Sequence, residues 1–386
     1  MNFWSEIVGQ QDAVAALDHA ASPEGANDLA HAWLITGPPG SGRFNLALRF
    51  AAALVARDTS DAARAREYSA VAAGTHPDVL VVRTQTNQLG VEQIREAVTS
   101  AYYAPAVSPR RVIVIEDADR MNTAAANAAL KALEEPPQTT VWILCTPAEA
   151  DLLPTIRSRT RLVRLVTPDS EQVAQLLCER DGVEPSLASR AAQLAQGHIG
   201  MARRLAIDAE AMQRREKTVE IALGVRTLPE AMAAAVQLSE ISLADAEALV
   251  ARQLDAERRE LMQQMGLQLG DPVPAEIRRD MKAIDDTEKG RLSRGKVDAT
   301  DRVLLDLLAL ARDLLVLQLG AKQPLINSAY RDRIAEYAVQ SHLKETLQLA
   351  DTLEKARQRV VRNVRPELVL EAAFAAIVAY RYSNRK

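Results

Sequence analysis

The sequence predicts an α/β domain built on a parallel sheet of the phosphate-loop type, followed by a wholly helical remainder. Three observations carry that reading. Between about residues 30 and 166, short runs rich in Val, Ile and Leu alternate with longer helical patterns, the signature of a parallel sheet with helices on both faces. The first run leads into "GPPGSGRFNLA", Gly37 to Ala47, which has the glycine skeleton of a phosphate-cradling loop. After "TPDS" (167–170) no convincing strand pattern recurs.

Taken in order, the predicted strands are "HAWLITG" (31–37), "PDVLVV" (77–82), "RVIVIED" (111–117), "TVWILCT" (140–146) and "RLVRLV" (161–166). Each is too short for a typical helix and is dominated by residues that suit a buried strand. "RFNLALRFAAALVA" (43–56) and "NTAAANAALKALEE" (122–135) read as helices between them. Either Thr167 or Asp169 caps the first helix of a small helical unit running to about Leu205. Beyond it the pattern stays helical, with two expected interruptions. One is "QLGDPVPAEI" (268–277), where Pro272 and Pro274 oppose helical geometry. The other is "DDTEKGRLSRGKVDATD" (285–301), charged and nearly free of apolar residues, which reads as a loop or a flexible helix start. The expected domains are 1–166, 167–206 and 207–386.

Composition narrows the function classes. Hydrophobic residues make up 48% and charged residues 25% of the 386 residues, enough to bury sizeable cores. Aromatics are only 4% while Ala and Leu abound, which favours helix. A net charge of -4 gives no general attraction to nucleic acid or anionic membrane, so DNA contact would need a local basic face or partner chains. "MNFWSEIVGQQ" lacks the pattern of a signal peptide. The most apolar run, "VLLDLLALARDLLVLQLGA" (303–321), carries Asp306, Arg312 and Asp313 and reads as a buried amphipathic helix, not a membrane span. Two cysteines, Cys145 and Cys178, cannot build a disulfide framework or a Cys-based zinc site. A cytoplasmic protein is expected, with no membrane partner.

A phosphate loop works because its glycines let backbone N–H groups face the phosphates at the positive end of the next helix. A Lys then reaches the β- and γ-phosphates, and a Ser or Thr holds magnesium. Gly37, Gly40 and Gly42 retain the backbone half of this device. Arg43 stands in the lysine position, a planar fork in place of a compact ammonium. Phe44 stands in the hydroxyl position and offers a metal no oxygen. Losing that ligand is severe for phosphoryl transfer, because the metal neutralises developing charge. A loop descended from a nucleotide site but chemically silent fits these residues better than a Gly/Pro-rich turn.

"RVIVIEDADRMN" supplies a buried strand ending in acids, Glu116 then Asp117. A working ATPase needs the reverse order, Asp for magnesium support and Glu to polarise water. A shorter carboxylate at the second position falls about a methylene short, a misplacement that costs rate. Taken alone, such acids read as a solvated strand end.

The segments "FWSEIVGQQDAVAAL", "HAWLITGPPGSG", "GTHPDV", "VIVIEDADRMNTAAANAALKALEEPP" and "PTIRSRTRLVRL" follow, in order, the pattern of bacterial DNA polymerase III clamp-loader subunits of the AAA+ class. The resemblance covers roughly residues 3 to 205, and "NAALKALEEPP" followed by a Ser-Arg pair is its most specific part. A weaker match is "NVRPELVLEAAFAAI" (363–377), which resembles the last helix of that family's collar domain. The resemblance implies an AAA+ domain over 1–166, a helical lid over 167–206 and an all-helical collar for oligomerisation over 207–386. It groups Thr146, at the end of the run 140–146, with Gly37, Gly40, Gly42, Arg43, Phe44, Glu116 and Asp117 in a degenerate nucleotide site.

The motor member of the family has an intact loop and a paired Asp-Glu, and this sequence has neither. The resemblance is therefore to the family's non-hydrolysing stator, a member of a five-subunit ring. Its implied partners are motor (gamma/tau) subunits and a delta subunit in a hetero-pentamer, the sliding clamp, and primer-template DNA reached through the complex. No cofactor is required on this chain, because ATP and magnesium belong to neighbouring motor subunits. Ser158 and Arg159, in "SRT", match the pair whose arginine points into the neighbour's ATP. Such a finger is worth about 10³–10⁵ in rate in GTPases. Without the family match, Arg157, Arg159, Arg161 and Arg164 read as decoration of a surface strand.

Departures from the family pattern carry their own expectations. Where many members hold a four-cysteine zinc module, "RDTSDAARAREYSAVAA" (57–73) has no cysteine. No metal is expected and His76 reads as structural. In "GHIGMARR" Gly200 falls at the sensor arginine, with Arg203 or Arg204 as partial substitutes and His198 as a helix-end residue. The basic run "EKARQRVVRNVR" (354–365) reads as a solvated helix face rather than a DNA site. Two further readings remain beside the stator: an ATP-hydrolysing motor subunit that tolerates Arg43 and Phe44, and a DNA-binding protein acting alone.

Overall fold

All five runs read as strands pair into one parallel sheet in the computed structural model, whose described residues are 2–84, 88–264, 274–361 and 364–382. The elements in chain order are α1 (Gln11–Ala20), β1 (Ala32–Thr36), α2 (Arg43–Val55), α3 (Asp61–Ala72), β2 (Val79–Val82), α4 (Val91–Ala101), β3 (Arg111–Ile115), α5 (Thr123–Glu134), β4 (Thr140–Thr146), α6 (Pro154–Arg157) and β5 (Arg161–Arg164). Helices α7 (Ser170–Asp181), α8 (Pro185–Ala195) and α9 (Ile199–Ile207) follow. The strand order is β2-β3-β4-β1-β5, with Leu34 of β1 opposite Leu144 on one side and Leu162 on the other.

Both faces of the central strands β1, β3 and β4 are buried, which is why their runs are mainly apolar rather than alternating. Trp33, Ile35, Val112, Val114 and Ile143 face a core shared with α1 to α3. Leu34, Ile113, Ile115, Trp142 and Leu144 face the opposite core, closed by Ile94, Ala129, Leu133 and Ile156 of α4, α5 and α6. β1 lies between β4 and β5, the point where strand order reverses and where open α/β sheets bind ligands. The loop after β1 therefore emerges at the favoured place.

The residues separate into two compact units, Met1–Ile207 and Asp208–Lys386. Within the first, α7 to α9 bury their own small core of Val173, Leu177, Ala188, Ala192 and Ala202. Asp169, one of the two candidate caps, accepts the Glu171 N–H at 3.0 Å and starts α7. The second unit is all helix: α10 (Ala209–Gly224), α11 (Leu228–Gln264), α12 (Ala275–Asp286), α13 (Glu288–Gln318), α14 (Arg331–Gln340), α15 (Leu343–Val361) and α16 (Pro366–Tyr382). Leu238, Leu304, Leu307, Leu353, Leu370 and Phe374 meet in its core. No described helix is long and apolar enough to cross a membrane.

Of the two readings offered for 285–301, a loop or a helix start, the structure has the helix start. The segment is the end of α12 and the first half of the 31-residue α13. Arg291 donates to both carboxylate oxygens of Glu257 at 2.7 Å, and a Cβ on Gly295 would come within 3.1 Å of Ala246 on α11. Charge and glycine here serve close helix packing, and packing overrides weak local propensity. Of the break expected at 268–277, Pro272 lies outside the described residues, whereas Pro274 immediately precedes α12.

Candidate functional site

The candidate site is assembled where β1 runs out. Gly42 takes the left-handed conformation at φ 88° as it starts α2, and Gly40 does so at φ 78°, as a phosphate loop requires. A side chain on Gly40 is excluded twice over, because a Cβ there would sit 2.1 Å from His198 Cγ. The Ile199 N–H donates to the Gly40 carbonyl at 3.0 Å, and His198 Nδ1 accepts the Met201 N–H at 3.1 Å. His198 thus sits at the start of α9 and bears on the loop at the same time. The α7–α9 unit is fastened to the loop by the loop's own backbone.

The two substituted side chains turn inward. The Arg43 guanidinium donates to the Gly37 carbonyl, at the loop's own entrance. Burial lowers its pKa from the usual arginine value, and Cys145, Asp119, Asp117 and Asp151 oppose that shift. Phe44 lies under Arg83, whose guanidinium carbon is 4.4 Å from the ring centroid. The Nε of Arg83 is in turn 3.5 Å from Glu116 Oε2. A cation thus stands beside the position that a metal ligand would serve. Arg83 was not legible as a site residue, because nothing in its local sequence marks it.

Asp117 pairs with Arg120 at 3.4 Å. Burial, then the charge of Asp117, raises the pKa of Asp119. Thr146 is fully buried, and its hydroxyl donates to the Ala148 carbonyl at 3.3 Å. Gly40, Gly42, Arg43, Phe44, Glu116 and Asp117 line one cavity of about 450 Å³. Gly37 and Thr146 are not among the lining residues. Arg203, one of the two expected substitutes for a sensor arginine, does line it. Asp181 accepts from Arg203 at 2.9 Å and from Arg180 at 2.7 Å. Burial alone would raise the Asp181 pKa, but these hydrogen bonds outweigh it and hold the carboxyl below its usual value.

Ser158 and Arg159 stand elsewhere, between α6 and β5, outside that cavity's lining. Arg159 is partly exposed, donates to the Thr155 carbonyl at 2.7 Å and to Ser158 Oγ at 3.2 Å, and pairs with Glu134 at 2.6 Å. The neighbouring arginines are engaged differently. Arg161 covers the Trp33 ring and Arg164 pairs with Glu149.

His76 is buried, accepts the Asp78 N–H at 3.1 Å on Nδ1, and lies 3.2 Å from Glu67 through Nε2. Among the described residues no group of three or more His, Cys, Asp or Glu is placed to hold a metal. The basic run 354–365 is partly committed to internal pairs, Lys355 with Asp351 and Arg357 with Asp301 and Glu354. Its Arg362 lies outside the described residues.

Comparison with known proteins points one way at the level of family. Residues 9–169 match the sequence family described as "DNA polymerase III, delta subunit". The chain is 34% identical over 217 residues to the DNA polymerase III subunit delta' of Pseudomonas aeruginosa, covering 55% of this chain and 65% of that protein. It is 32% identical over 177 residues to the Escherichia coli subunit delta', covering 45% and 53%. A DNA polymerase III subunit gamma/tau from Mycobacterium bovis is also 34% identical, over 188 residues that span 47% of this chain and 32% of that protein. The match thus spans less than two thirds of each relative's own length. Among solved structures, a DNA polymerase III gamma subunit-related protein from Thermotoga maritima aligns over 96% of this chain and all of that one, at 17% identity and a TM-score of 0.47.

Proposed function

We propose, from the match of residues 9–169 to the DNA polymerase III delta subunit family and the likeness to delta' subunits, that the chain is the non-hydrolysing stator of a DNA polymerase III clamp-loader complex. In this reading it supplies Arg159 in trans to the ATP held by an adjacent motor subunit while a sliding clamp is loaded onto primed DNA. The complex would be a hetero-pentamer with gamma/tau and delta subunits. ATP and magnesium would belong to the neighbours, and this chain would need no cofactor of its own.

The observation that carries the reading is the inward turn of Arg43 and Phe44. The guanidinium that replaces the phosphate-binding lysine is spent on the Gly37 carbonyl. The ring that replaces the magnesium-binding hydroxyl is stacked under Arg83. Hydrolysis needs a metal ligand and a phosphate-directed cation at those two places, so the site's residues argue for silence. Family likeness alone does not choose between stator and motor, because a gamma/tau relative is as similar as the delta' relatives. The side chains of the loop favour the stator.

Arg159 suits the trans role by its place and chemistry. It sits on the surface between α6 and β5, away from the cavity of its own chain. A planar guanidinium offers several N–H donors to developing phosphoryl charge. The fastening of α7–α9 to the loop through Ile199 and His198 supports a body that keeps its shape without nucleotide.

The test is a pair of ATPase measurements. The pure chain is expected to release no phosphate from Mg-ATP. The reconstituted complex carrying Arg159→Ala is expected to lose about 10³-fold in motor-subunit turnover at the adjacent site, the scale of a trans arginine. Magnesium-dependent turnover by the pure chain would favour the motor reading instead, and full activity with Arg159→Ala would remove the finger.

A further inference from the structure

Glu134 is an unexpected residue at its position. It is the last residue of α5, where unsatisfied carbonyls make the helix end negative and a carboxylate is disfavoured. That carboxylate nevertheless has a specific neighbour: Oε1 lies 2.6 Å from NH2 of Arg159. The two residues are brought together because α5 and α6 share one buried face of the sheet, through Leu133 and Ile156. The backbone that carries Glu134 is itself anchored, since the Leu133 carbonyl lies 3.0 Å from His31 Nε2 and the Leu133 side chain is fully buried.

The opposite end of the guanidinium is held as well. NH1 donates to the Thr155 carbonyl and to Ser158 Oγ, both within its own short segment. Three acceptors on two terminal nitrogens fix the plane of the group. A guanidinium carries five N–H donors, so this arrangement leaves donors over for a second, anionic acceptor.

From this geometry we infer that Glu134 is a positioning residue for Arg159. It holds the guanidinium in one orientation before the neighbouring chain's nucleotide arrives. The inference rests on the reading of Arg159 as a trans-acting finger, and it assigns the orientation of that finger to a carboxylate on another element. An arginine pre-set in this way loses less rotamer freedom on engaging phosphate. Its contribution then falls on the transition state rather than on nucleotide binding.

Two measurements test it. In the isolated chain, Glu134→Ala is expected to raise the rate at which phenylglyoxal modifies Arg159, read by peptide mass mapping. An unchanged rate would show that the pair does not restrain the group. In the reconstituted complex, Glu134→Ala is expected to lower kcat for ATP about tenfold with KM nearly unchanged. Glu134→Gln, which keeps an accepting oxygen, should fall between it and the parent. The deciding comparison is the double variant Glu134→Ala/Arg159→Ala, expected to be no slower than Arg159→Ala alone. A further loss in the double variant, or an unchanged kcat in the single one, would overturn the inference. Should Arg159→Ala itself leave turnover intact while phenylglyoxal reactivity still responds to Glu134, the finger reading fails and the pair is structural.

Discussion

Asp78 shows how one residue can hold a segment together. It is fully buried, and its two oxygens accept the N–H groups of Ala106, Val107 and Ser108 at 2.6, 2.8 and 2.8 Å. Burial alone would raise its pKa, but these hydrogen bonds outweigh it and keep the carboxyl below its usual value. A depressed carboxylate contributes stability above its unfolded pKa of 3.8 and loses it as pH falls through the folded value. Asp78→Asn is accordingly expected to cost about 2 kcal/mol near neutral pH. That deficit should shrink below the unfolded value, as seen by urea unfolding of the parent and variant at a series of pH values. His76 beside it, accepting the Asp78 N–H, belongs to the same clasp. Arg43 and Phe44 were readable as defects from the loop pattern alone. Where their side chains went was not readable, because Gly37 O and Arg83 become their neighbours only in the folded chain.

At the scale of elements, the strands were the most legible part. β1, β3 and β4 are buried along their whole length, and a run of Val, Ile and Leu bounded by turn residues has few other uses. The start of α7 was legible only to within two candidates, and Asp169 is the one whose side chain accepts a helix N–H. Asp169→Ala is expected to destabilise the Met1–Ile207 unit by about 1 kcal/mol, lowering its thermal midpoint, while Asp169→Asn keeps an accepting oxygen and should lose less. The start of α13 was legible only as one of two alternatives, loop or helix start, for a physical reason. Its charges and glycines look like a loop until α11 lies alongside, where Glu257 pairs with Arg291 and Ala246 needs the room at Gly295. Glu134 was hidden in the same way, as one of two adjacent acids at the end of a predicted helix until the turn after α6 places Arg159 beside it.

At the scale of the molecule, the two units carry separate cores. The Asp208–Lys386 unit buries its own set of Leu, Val and Phe side chains, drawn from α10, α11 and α13 to α16. Residues 208–386 expressed alone are therefore expected to be helical and to melt cooperatively by far-UV circular dichroism. A featureless, non-cooperative melt of that fragment would contradict this. The net charge of -4 gives the chain little general attraction for DNA, and Lys355 and Arg357 of the 354–365 run are paired internally. Any contact with nucleic acid is best sought in an assembly.

The sequence by itself determined the parallel α/β architecture, the place of the loop after the first strand and the presence of Arg43 and Phe44 where the phosphate-loop pattern has Lys and a hydroxyl. Those properties follow from local composition: strand burial needs apolar runs, and phosphoryl transfer needs particular atoms at fixed spacing. Tertiary structure alone decided which groups Arg43 and Phe44 meet, what fastens α7–α9 to the loop and which carboxylate pairs with Arg159. Each of those depends on groups from different elements meeting at about 3–4 Å, a distance set by packing and carried by no local pattern.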